Sequence, residues 1–394
     1  MQKYLSKAAS LVMALIRRTV DAFKKGDKLL LLLCIVTTAF GCLIIASATR
    51  YTGSFQFVIV QIIAAAGGVF LYALVSSIDA DFISEHRTAL VVICCFTLLL
   101  LIPFGTDNGT GNKSWLDLRI LPFYVQPAEI CKIFYILITA SVMNAQKNRI
   151  SHPKSVIRIF AYMVLIVGLN MVLSGDAGVS LIFVFIFIGM TWSGGVNFLW
   201  FAAAAGALIL AVPVLWPYMP EYQRGRFEVL FNPDLDPLGI DERYHTVRSL
   251  RSLTGGGMTG QGLFQGHRTQ NGALNAQHTD YIFSAIGEEL GYVGCIFVLV
   301  LMALIIGRCI YVGLRSTDYM RKLICFGAAS ALIFQVMINV GMCIGVMPVI
   351  GLTLPFISYG GSSILSLYAM LGLVSGVYAR PKATSHERYI RPPL

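Results

Sequence analysis

Three acidic residues stand close together in segment 277–291, which reads QHTDYIFSAIGEELG. Asp280 lies where a long polar stretch meets an apolar run, and Glu288 and Glu289 follow about two helical turns later. Carboxylates near or inside a bilayer are costly, so they are candidates for function. A positioned carboxylate can accept a proton from a reacting hydroxyl group. The segment therefore indicates general-base chemistry at Asp280.

Asp280 also has a purely structural interpretation. Asp is favoured at the N-cap of a helix, where its carboxylate accepts hydrogen bonds from backbone N–H groups. An apolar run that begins just after Asp280 fits that interpretation as well. The motif alone leaves both interpretations open, and the rest of the chain favours the functional one.

The composition is that of a membrane protein. The chain has 394 residues, of which 56% are hydrophobic and 13% are charged, whereas a soluble domain is about 25% charged. The net charge is +10, but most Lys and Arg lie beside apolar runs. No basic stripe with interleaved aromatic residues is present, so we expect no nucleic-acid partner. The nine Cys fall in or beside apolar runs without a CxxC motif, which indicates packing rather than redox or metal chemistry.

Apolar runs of the length that crosses a bilayer recur along the chain. We expect an all-α polytopic membrane protein with about ten transmembrane helices and a large extracellular loop between helices 7 and 8. The predicted spans lie near 29–48, 56–78, 88–104, 127–144, 156–173, 178–195, 197–216, 282–312, 323–345 and 363–379.

The positions of the cationic residues predict the orientation in the membrane. Lys and Arg concentrate in segments 1–28, 79–87, 145–158, 308–322 and 380–394, which the positive-inside rule places in the cytoplasm. We expect a basic amphipathic extension at 1–27, a transmembrane domain at 28–379 with the extracellular loop at 217–281, and a basic cytoplasmic tail at 380–394. No internal repeat is visible, which weakens an inverted-repeat transporter interpretation.

Two further acidic positions have both a structural and a functional interpretation. Glu129 and Lys132 lie three residues apart on one face of the predicted fourth helix. They can form a structural ion pair, or Lys132 can meet an anionic headgroup in a cavity. Asp176, in the segment that joins the fifth and sixth spans, can cap the sixth helix or belong to a site. Arginines in loop 217–281, among them Arg224 and Arg226, suit phosphate recognition, although each alone is a weak signal.

Taken in order, these motifs resemble the SEDS family (shape, elongation, division and sporulation), which includes RodA, FtsW and SpoVE. The resemblance covers nearly the whole chain after about residue 28. The matching motifs are Gly111-Asn112-Lys113-Ser114-Trp115, Gln126-Pro127-Ala128-Glu129 with Lys132, Arg224 with Arg226, Asp234-Leu235-Asp236-Pro237 with Tyr244, His278-Thr279-Asp280 with Glu288-Glu289-Leu290-Gly291, and the run from Pro348 to Ser363. Two positions depart from the family pattern, at Ser174-Gly175-Asp176 and at Arg248-Ser249-Leu250.

The resemblance implies a peptidoglycan glycosyltransferase of the bacterial cytoplasmic membrane that acts in cell elongation, division or sporulation. It implies lipid II as substrate, a class B penicillin-binding protein as partner, and Asp280 as the catalytic base on the acceptor 4-hydroxyl. Positive charge for the leaving pyrophosphate would come from basic residues or from a divalent cation, Mg²⁺ or Mn²⁺, whose ligands the sequence does not identify. The predicted substrate-binding residues are Lys113, Glu129, Lys132, Arg224, Arg226, His278, Thr279 and Glu289.

Two other functions stay open. A lipid II flippase would need the arginines and the cavity, but Asp280 would take part in no bond formation. A scaffold for a cell-wall complex would tolerate Asp280→Ala altogether. Placement of the acid on the outer face favours the enzyme, because polymerisation outside the membrane needs its base there. Ile350 leans weakly towards elongation or sporulation members.

Overall fold

The computed structural model describes residues 19–21, 23–78, 85–107, 112–117, 123–219, 221–237, 239–241, 243–274 and 276–380. Most of the basic extension expected at 1–27 lies outside the described residues, as does the tail expected at 380–394 apart from Arg380. The expected form of both segments therefore stays a prediction.

Long helices make up most of the described chain. In chain order they are α1 (Lys28–Ala48), α2 (Gln56–Ser76), α3 (Arg87–Leu99), α4 (Leu101–Phe104), α5 (Pro127–Ala145), α6 (Pro153–Ser174), α7 (Ala177–Ser193), α8 (Phe198–Leu215), α9 (Glu221–Phe231), α10 (Tyr244–Gly256), α11 (His267–Gln270), α12 (Ile282–Arg315), α13 (Tyr319–Cys343) and α14 (Gly361–Ala379). Two short antiparallel strands, β1 (Gly105–Thr106) and β2 (Trp115–Leu116), lie between α4 and α5.

The helical membrane fold expected from the sequence is confirmed. Within the described ranges, eight helical segments are long and apolar enough to cross a membrane, with α3 and α4 counted as one. The shorter apolar helices α7 and α8 occupy the two remaining predicted spans. Helices suit these runs because a bilayer offers no hydrogen-bond partners to the backbone. The number of helices that cross the membrane stays a prediction.

Polar residues and prolines fix where several helices begin. Asp27 accepts a hydrogen bond from the N–H of Leu30 at the start of α1, and Asp318 accepts one from Arg321 at the start of α13. Pro127 opens α5, where its missing N–H removes no helical hydrogen bond.

The core lies around α5, α13 and α14, which are the most buried membrane-length helices. Helix α13 packs against α12, α7 and α5, and α14 packs along α2. Helix α8 contributes no buried residue to the described core. The α13–α14 connection, residues 344–360, and the start of α12 therefore meet over the centre of the bundle.

The predicted loop 217–281 contains local structure. It carries α9, α10 and α11, and α10 packs against α12. Helix α12 bends at Gly291, whose φ of 65° and ψ of −163° are not helical. A Cβ atom on Gly291 would collide with the backbone of Gly260, so the bend lets the turn after α10 pack directly against α12. The loop is thereby fixed beside the residues that precede α12.

Candidate functional site

Asp280 is held in place through its backbone by a side chain from α13. The buried amide Nδ2 of Asn339 donates to the carbonyl oxygens of both Asp280 and Leu352, at 2.7 Å each. One amide group thereby joins the segment before α12 to the α13–α14 connection. Loss of that donor would leave two carbonyl groups of the site without this partner.

The two residues before Asp280 are fixed to the same connection. Ser358 Oγ donates to the carbonyl oxygen of Thr279 at 2.6 Å, and the N–H of Tyr359 donates to that of His278 at 2.9 Å. Gln61 from α2 in turn donates to the Ser358 carbonyl at 3.1 Å. The carbonyl groups of residues 278, 279 and 280 are thus each hydrogen-bonded. The backbone that carries the Asp280 side chain is therefore fixed.

The carboxylate of Asp280 has no such partners. It accepts no hydrogen bond from any residue in the described ranges, and Tyr281 is the residue that immediately precedes α12. The capping interpretation of Asp280 is therefore wrong. Gly351 lies directly against the acid, since a Cβ atom placed on it would be 3.4 Å from Asp280 Oδ2. Burial, with a contribution from the charge of Asp176, raises the pKa of Asp280 to about 6.

Asp176 is the N-cap of α7, which confirms its capping interpretation. Its carboxylate accepts hydrogen bonds from the N–H of Val179 at 3.0 Å and from Gln126 Nε2 at 3.2 Å. Burial raises the pKa of Asp176, the charge of Glu129 acts in the same direction, and these hydrogen bonds oppose both. Asp176 is therefore both a cap and a neighbour of Asp280.

Glu129 and Lys132 form the structural ion pair that was one of their two interpretations. Lys132 Nζ lies 2.8 Å from Glu129 Oε1, and both residues are buried in α5. Ser366 from α14 donates to the other carboxylate oxygen at 2.6 Å. Removing one member of such a pair leaves an uncompensated buried charge. Glu129, Asp176 and Asp280 form a carboxylate cluster, in which the charge of Glu129 acts on Asp176 and that of Asp176 on Asp280. Substrate contact by Glu129 and Lys132 stays a prediction.

The two arginines predicted from loop 217–281 have different surroundings. Arg224 lies 3.5 Å from Glu228 on the partly exposed face of α9. Arg226 donates to the carbonyl oxygen of Val349 at 2.9 Å and helps line a cavity of about 70 Å³ together with Arg243. Val349 is two residues from Gly351, so Arg226 borders the site. Arg224 is instead paired with a residue of its own helix.

Lys113 lies in a segment that approaches Asp176. Ser114 Oγ is 3.5 Å from the carbonyl oxygen of Ser174, and the Asn112 side chain lies against Gly175. The Lys113 side chain itself is exposed. The structure therefore brings this predicted cation to the edge of the carboxylate cluster and leaves its contact with a substrate a prediction.

His278 is packed among aromatic rings. Its ring lies 4.8 Å from that of Phe57 and 5.8 Å from that of Tyr359, and burial lowers the pKa of His278. Thr279 donates through Oγ1 to the Ala276 carbonyl at 3.2 Å. Both residues position the turn that carries Asp280, and a direct substrate contact by either stays a prediction.

His245 and Tyr281 belong to the surroundings of the site, although sequence reasoning missed them. The two rings stack at 5.8 Å with an interplanar angle of 19°. Burial lowers the pKa of His245, and the charges of Arg226 and Arg248 lower it further. A neutral imidazole is therefore expected next to the residue that follows Asp280. Their sequence spacing matches no motif, so the structure alone brings them together.

Glu288 and Glu289 have an anchoring role. Glu288 is fully buried and accepts hydrogen bonds from the N–H groups of Arg268 and Thr269, at 2.7 and 3.0 Å, and from Thr269 Oγ1 at 2.7 Å. It thereby ties α11 to α12. Three donors on a buried carboxylate satisfy its charge within the protein.

Glu289 makes the neighbouring anchor to α1. Its carboxylate accepts hydrogen bonds from Ser47 Oγ at 2.6 and 2.7 Å and from Gln270 Nε2 at 2.8 Å. A longer bond of 3.4 Å comes from the N–H of Gly266. The substrate contact predicted for Glu289 is untested, and the geometry gives it a structural task instead.

The described residues offer no ready-made metal centre. Among them, no group of three or more His, Cys, Asp or Glu side chains is arranged to hold a metal ion. No protein site for the expected divalent cation is therefore identified among these residues, and its binding stays a prediction.

The sequence is similar to proteins of one known family. The FtsW, RodA and SpoVE family model, described as "Cell cycle protein", matches residues 27–382. Peptidoglycan glycosyltransferase MrdB of Escherichia coli K12 is 31% identical over 363 residues, which cover 91% of this chain and 95% of that protein. Stage V sporulation protein E of Bacillus subtilis is 30% identical over 365 residues, which cover 89% and 96%.

A solved structure shares the fold. It is described as the structural coordination of polymerization and crosslinking by a peptidoglycan synthase complex, and the matching chain is 27% identical with a TM-score of 0.77. The match covers 93% of this chain and 99% of that chain. With the family model spanning nearly the whole sequence, this chain belongs to the FtsW/RodA/SpoVE family, the SEDS proteins.

Proposed function

We propose that this protein is a peptidoglycan glycosyltransferase that polymerises lipid II into glycan strands. The names of the similar proteins support the reaction class. The observation that carries the proposal is Asp280, whose backbone carbonyl is held by a hydrogen bond. Its carboxylate has no hydrogen-bond partner in the described part of the chain and a pKa raised to about 6. A base with a pKa near the working pH combines an ionised form with useful proton affinity.

The reaction follows from that carboxylate. Asp280 accepts the proton of the acceptor sugar's 4-hydroxyl as its oxygen attacks the anomeric carbon of the donor. The new glycosidic C–O bond forms while the bond from that carbon to the diphosphate oxygen breaks. Undecaprenyl pyrophosphate leaves with the electron pair, and the proton stays on Asp280 until solvent removes it. A positioned base typically contributes about 10²–10⁴-fold.

The leaving diphosphate needs positive charge as its own charge develops. Arg226 is the best placed of the predicted cations, because it borders the segment beside Asp280, whereas Lys132 is buried in its pair with Glu129. A divalent cation, Mg²⁺ or Mn²⁺, would add positive charge if the diphosphate of the substrate carried one, since Mg²⁺ commonly binds through substrate phosphates.

The surroundings of the reaction complete the proposal. Both termini are proposed to be cytoplasmic, with the carboxylate cluster at the outer face of the membrane, where the positive-inside rule puts the loops that carry it. The partner is proposed to be a class B penicillin-binding protein. Support comes from the structural match to a chain of a complex that coordinates polymerization and crosslinking.

The test is lipid II polymerisation by the purified protein, alone and with a cognate class B partner, comparing wild type with Asp280→Asn. We expect glycan strands from wild type and none from a folded Asp280→Asn. Equal polymerisation by the variant would overturn the role of Asp280. A protein that never polymerises, but moves lipid II across vesicles with or without Asp280, would be the flippase instead.

A further inference from the structure

Two carboxylates of the cluster bracket one short stretch of backbone. Gly178, in the first turn of α7, packs so closely on Ile350 that a Cβ atom there would lie 2.7 Å from Ile350 Cγ2 and 3.2 Å from its carbonyl oxygen. The next residue, Gly351, lies against Asp280 Oδ2, at 3.4 Å from a Cβ placed on it. The α7 N-terminus, with Asp176 as its cap, therefore lies across residues 350–351 from Asp280.

The two acids differ in how their charge is stabilised. Asp176 accepts hydrogen bonds from Val179 N–H and Gln126 Nε2 and sits at the positive end of the α7 dipole. Asp280 accepts none from the residues that the structure describes. When two nearby carboxylates have such different surroundings, the one with fewer hydrogen-bond donors holds a proton more tightly.

We propose that Asp176 is a positioning residue that acts through Asp280: its carboxylate, held at the start of α7 across residues 350–351 from the base, repels the negative charge of Asp280 and favours transfer of the acceptor's proton to it. This inference rests on the proposed function. Asp176 touches neither substrate nor reacting atoms in this scheme and acts through Asp280 alone. The capping hydrogen bond explains why Asp176 is anchored. The nearby carboxylate of Asp280 explains why the charge of Asp176 matters to the reaction.

Other charged or titratable groups face this pair from several elements. Glu129 on α5 acts on Asp176, and Tyr281 before α12 and Cys343 on α13 act on Asp280. Farther out are Lys132 on α5, exposed Lys113 and Asp117 in the 112–117 segment, Arg226 on α9 and His245 on α10 beside Tyr281, and Tyr359 beside His278. Lys132 is already paired with Glu129, so it does not cancel the charge of Asp176. Arg226 donates to the Val349 carbonyl, and its charge acts on His245 and Tyr281.

Asn is as good an N-cap as Asp, so Asp176→Asn removes the charge and keeps the cap. In the complex with its partner, we expect the acid limb of the kcat–pH profile to move to lower pH. At neutral pH kcat should fall by less than about tenfold, because the base is weaker but still present. Asp176→Glu should restore the wild-type limb. An unchanged limb in a polymerising Asp176→Asn enzyme would overturn the proposal.

A second measurement does not need catalysis. Carbodiimides react with protonated carboxyl groups, so labelling of Asp280 at different pH, quantified by peptide mass spectrometry, reports its titration in the full chain. The labelling midpoint should move to lower pH in Asp176→Asn. Asp241→Asn, the same change at an exposed loop residue, is the matched control and should leave the midpoint unchanged. Equal midpoints in wild type and Asp176→Asn would contradict the inference.

Failure of this inference and failure of the proposed function look different. If Asp280→Asn polymerises normally, the base is misassigned whatever Asp176 does. If Asp280→Asn is inactive and Asp176→Asn keeps both the wild-type acid limb and the wild-type labelling midpoint, the base stands and the role of Asp176 falls.

Discussion

Asp280 and Glu288 lie eight positions apart in one motif, yet their carboxylates have opposite surroundings. Glu288 is fully buried and satisfied by three donors from 268–269. Asp280 is partly exposed and accepts no hydrogen bond from the described residues, while its backbone carbonyl is held by Asn339. A buried acid with a full set of donors stabilises a fold, whereas one with a fixed backbone and an idle carboxylate is available to a substrate.

Asp280 and Glu288 also differ in their effect on stability. Burial raises the pKa of Asp280 to about 6, so the folded protein holds this proton more tightly than the unfolded chain does. Ionised Asp280 therefore costs stability, and the cost develops as the pH rises from the unfolded pKa to the folded one. Glu288 is instead held by three hydrogen-bond donors from 268–269. One motif thus holds an acid that destabilises the fold for the reaction and an acid that stabilises it.

The largest expected effect is on activity, from Asp280→Asn. Loss of the base should lower kcat by about 10²–10⁴-fold, with lipid II binding little changed. The fold should become more stable at neutral pH, by about 1–2 kcal/mol after discounting for the solvated part of the side chain. Polymerisation and thermal unfolding of the same preparation check both signs. An inactive variant that is also less stable would mean that Asp280 has a structural task.

Glu288→Ala should instead lower the stability of the fold. It leaves three donors of 268–269 without an acceptor, so we expect a loss of about 3 kcal/mol in the free energy of unfolding. The readout is the unfolding temperature in detergent. Glu288→Gln retains one carbonyl acceptor, so its unfolding temperature should lie between those of wild type and Glu288→Ala. Unfolding at the wild-type temperature for Glu288→Ala would show that water replaces the carboxylate and that the anchor is unimportant.

Asn339→Ala tests the other half of the comparison, the fixed backbone. The variant removes the donor shared by the Asp280 and Leu352 carbonyls and leaves the carboxylate in place. Small displacements of a reacting group are costly, so kcat should fall by about 10- to 100-fold. Ser330→Ala, which removes a hydroxyl on the same helix that bonds within its own turn, is the control. If Asn339→Ala changes KM and leaves kcat unchanged, the Asn339 hydrogen bonds shape the binding site and do not position the base.

How much of this was predictable differs between the fold and the site. Run length and hydropathy were enough to place the helices, because a bilayer fixes the length of a span. Local rules could not separate Asp176 from Asp280, since both precede apolar runs. Asp176 caps α7, but α12 begins two residues after Asp280 and is not capped by a side chain. That difference depends on tertiary hydrogen bonds.

Asn339 and His245 were missed for a related reason. Asn339 stands inside an apolar run, and its partner Asp280 is 59 positions away. His245 belongs to a polar loop, and its contact with Tyr281 exists because α10 packs on α12. No periodicity or spacing records such pairs. An isolated amide in a membrane helix is nonetheless costly unless it is hydrogen-bonded, and that signal could have marked Asn339.

The pH dependence of kcat should show the raised pKa of Asp280 directly. The base works when ionised, so activity should rise with pH through about 6 and lie on a plateau above it. Below that value the carboxyl is protonated and kcat should fall about tenfold per pH unit. The profile is measured under saturating lipid II. A limb near the ordinary value of an aspartate would remove the electrostatic argument, although the assignment of the base would stand on the variant.

The smallest effect separates the two arginines of α9. Arg224→Ala breaks an i,i+4 ion pair on a partly exposed helix face, and such pairs contribute less than about 1 kcal/mol, so stability and kcat should both stay close to wild type. Arg226→Ala removes the guanidinium that borders the Asp280 segment, so kcat should fall while the unfolding temperature changes little. Arg224→Ala and Arg226→Ala thus test, outside the 277–291 motif, whether a structural charge and a functional charge can be told apart. Equal losses of kcat in both variants would mean that α9 supplies general positive potential, and that Arg226 has no special place beside the base.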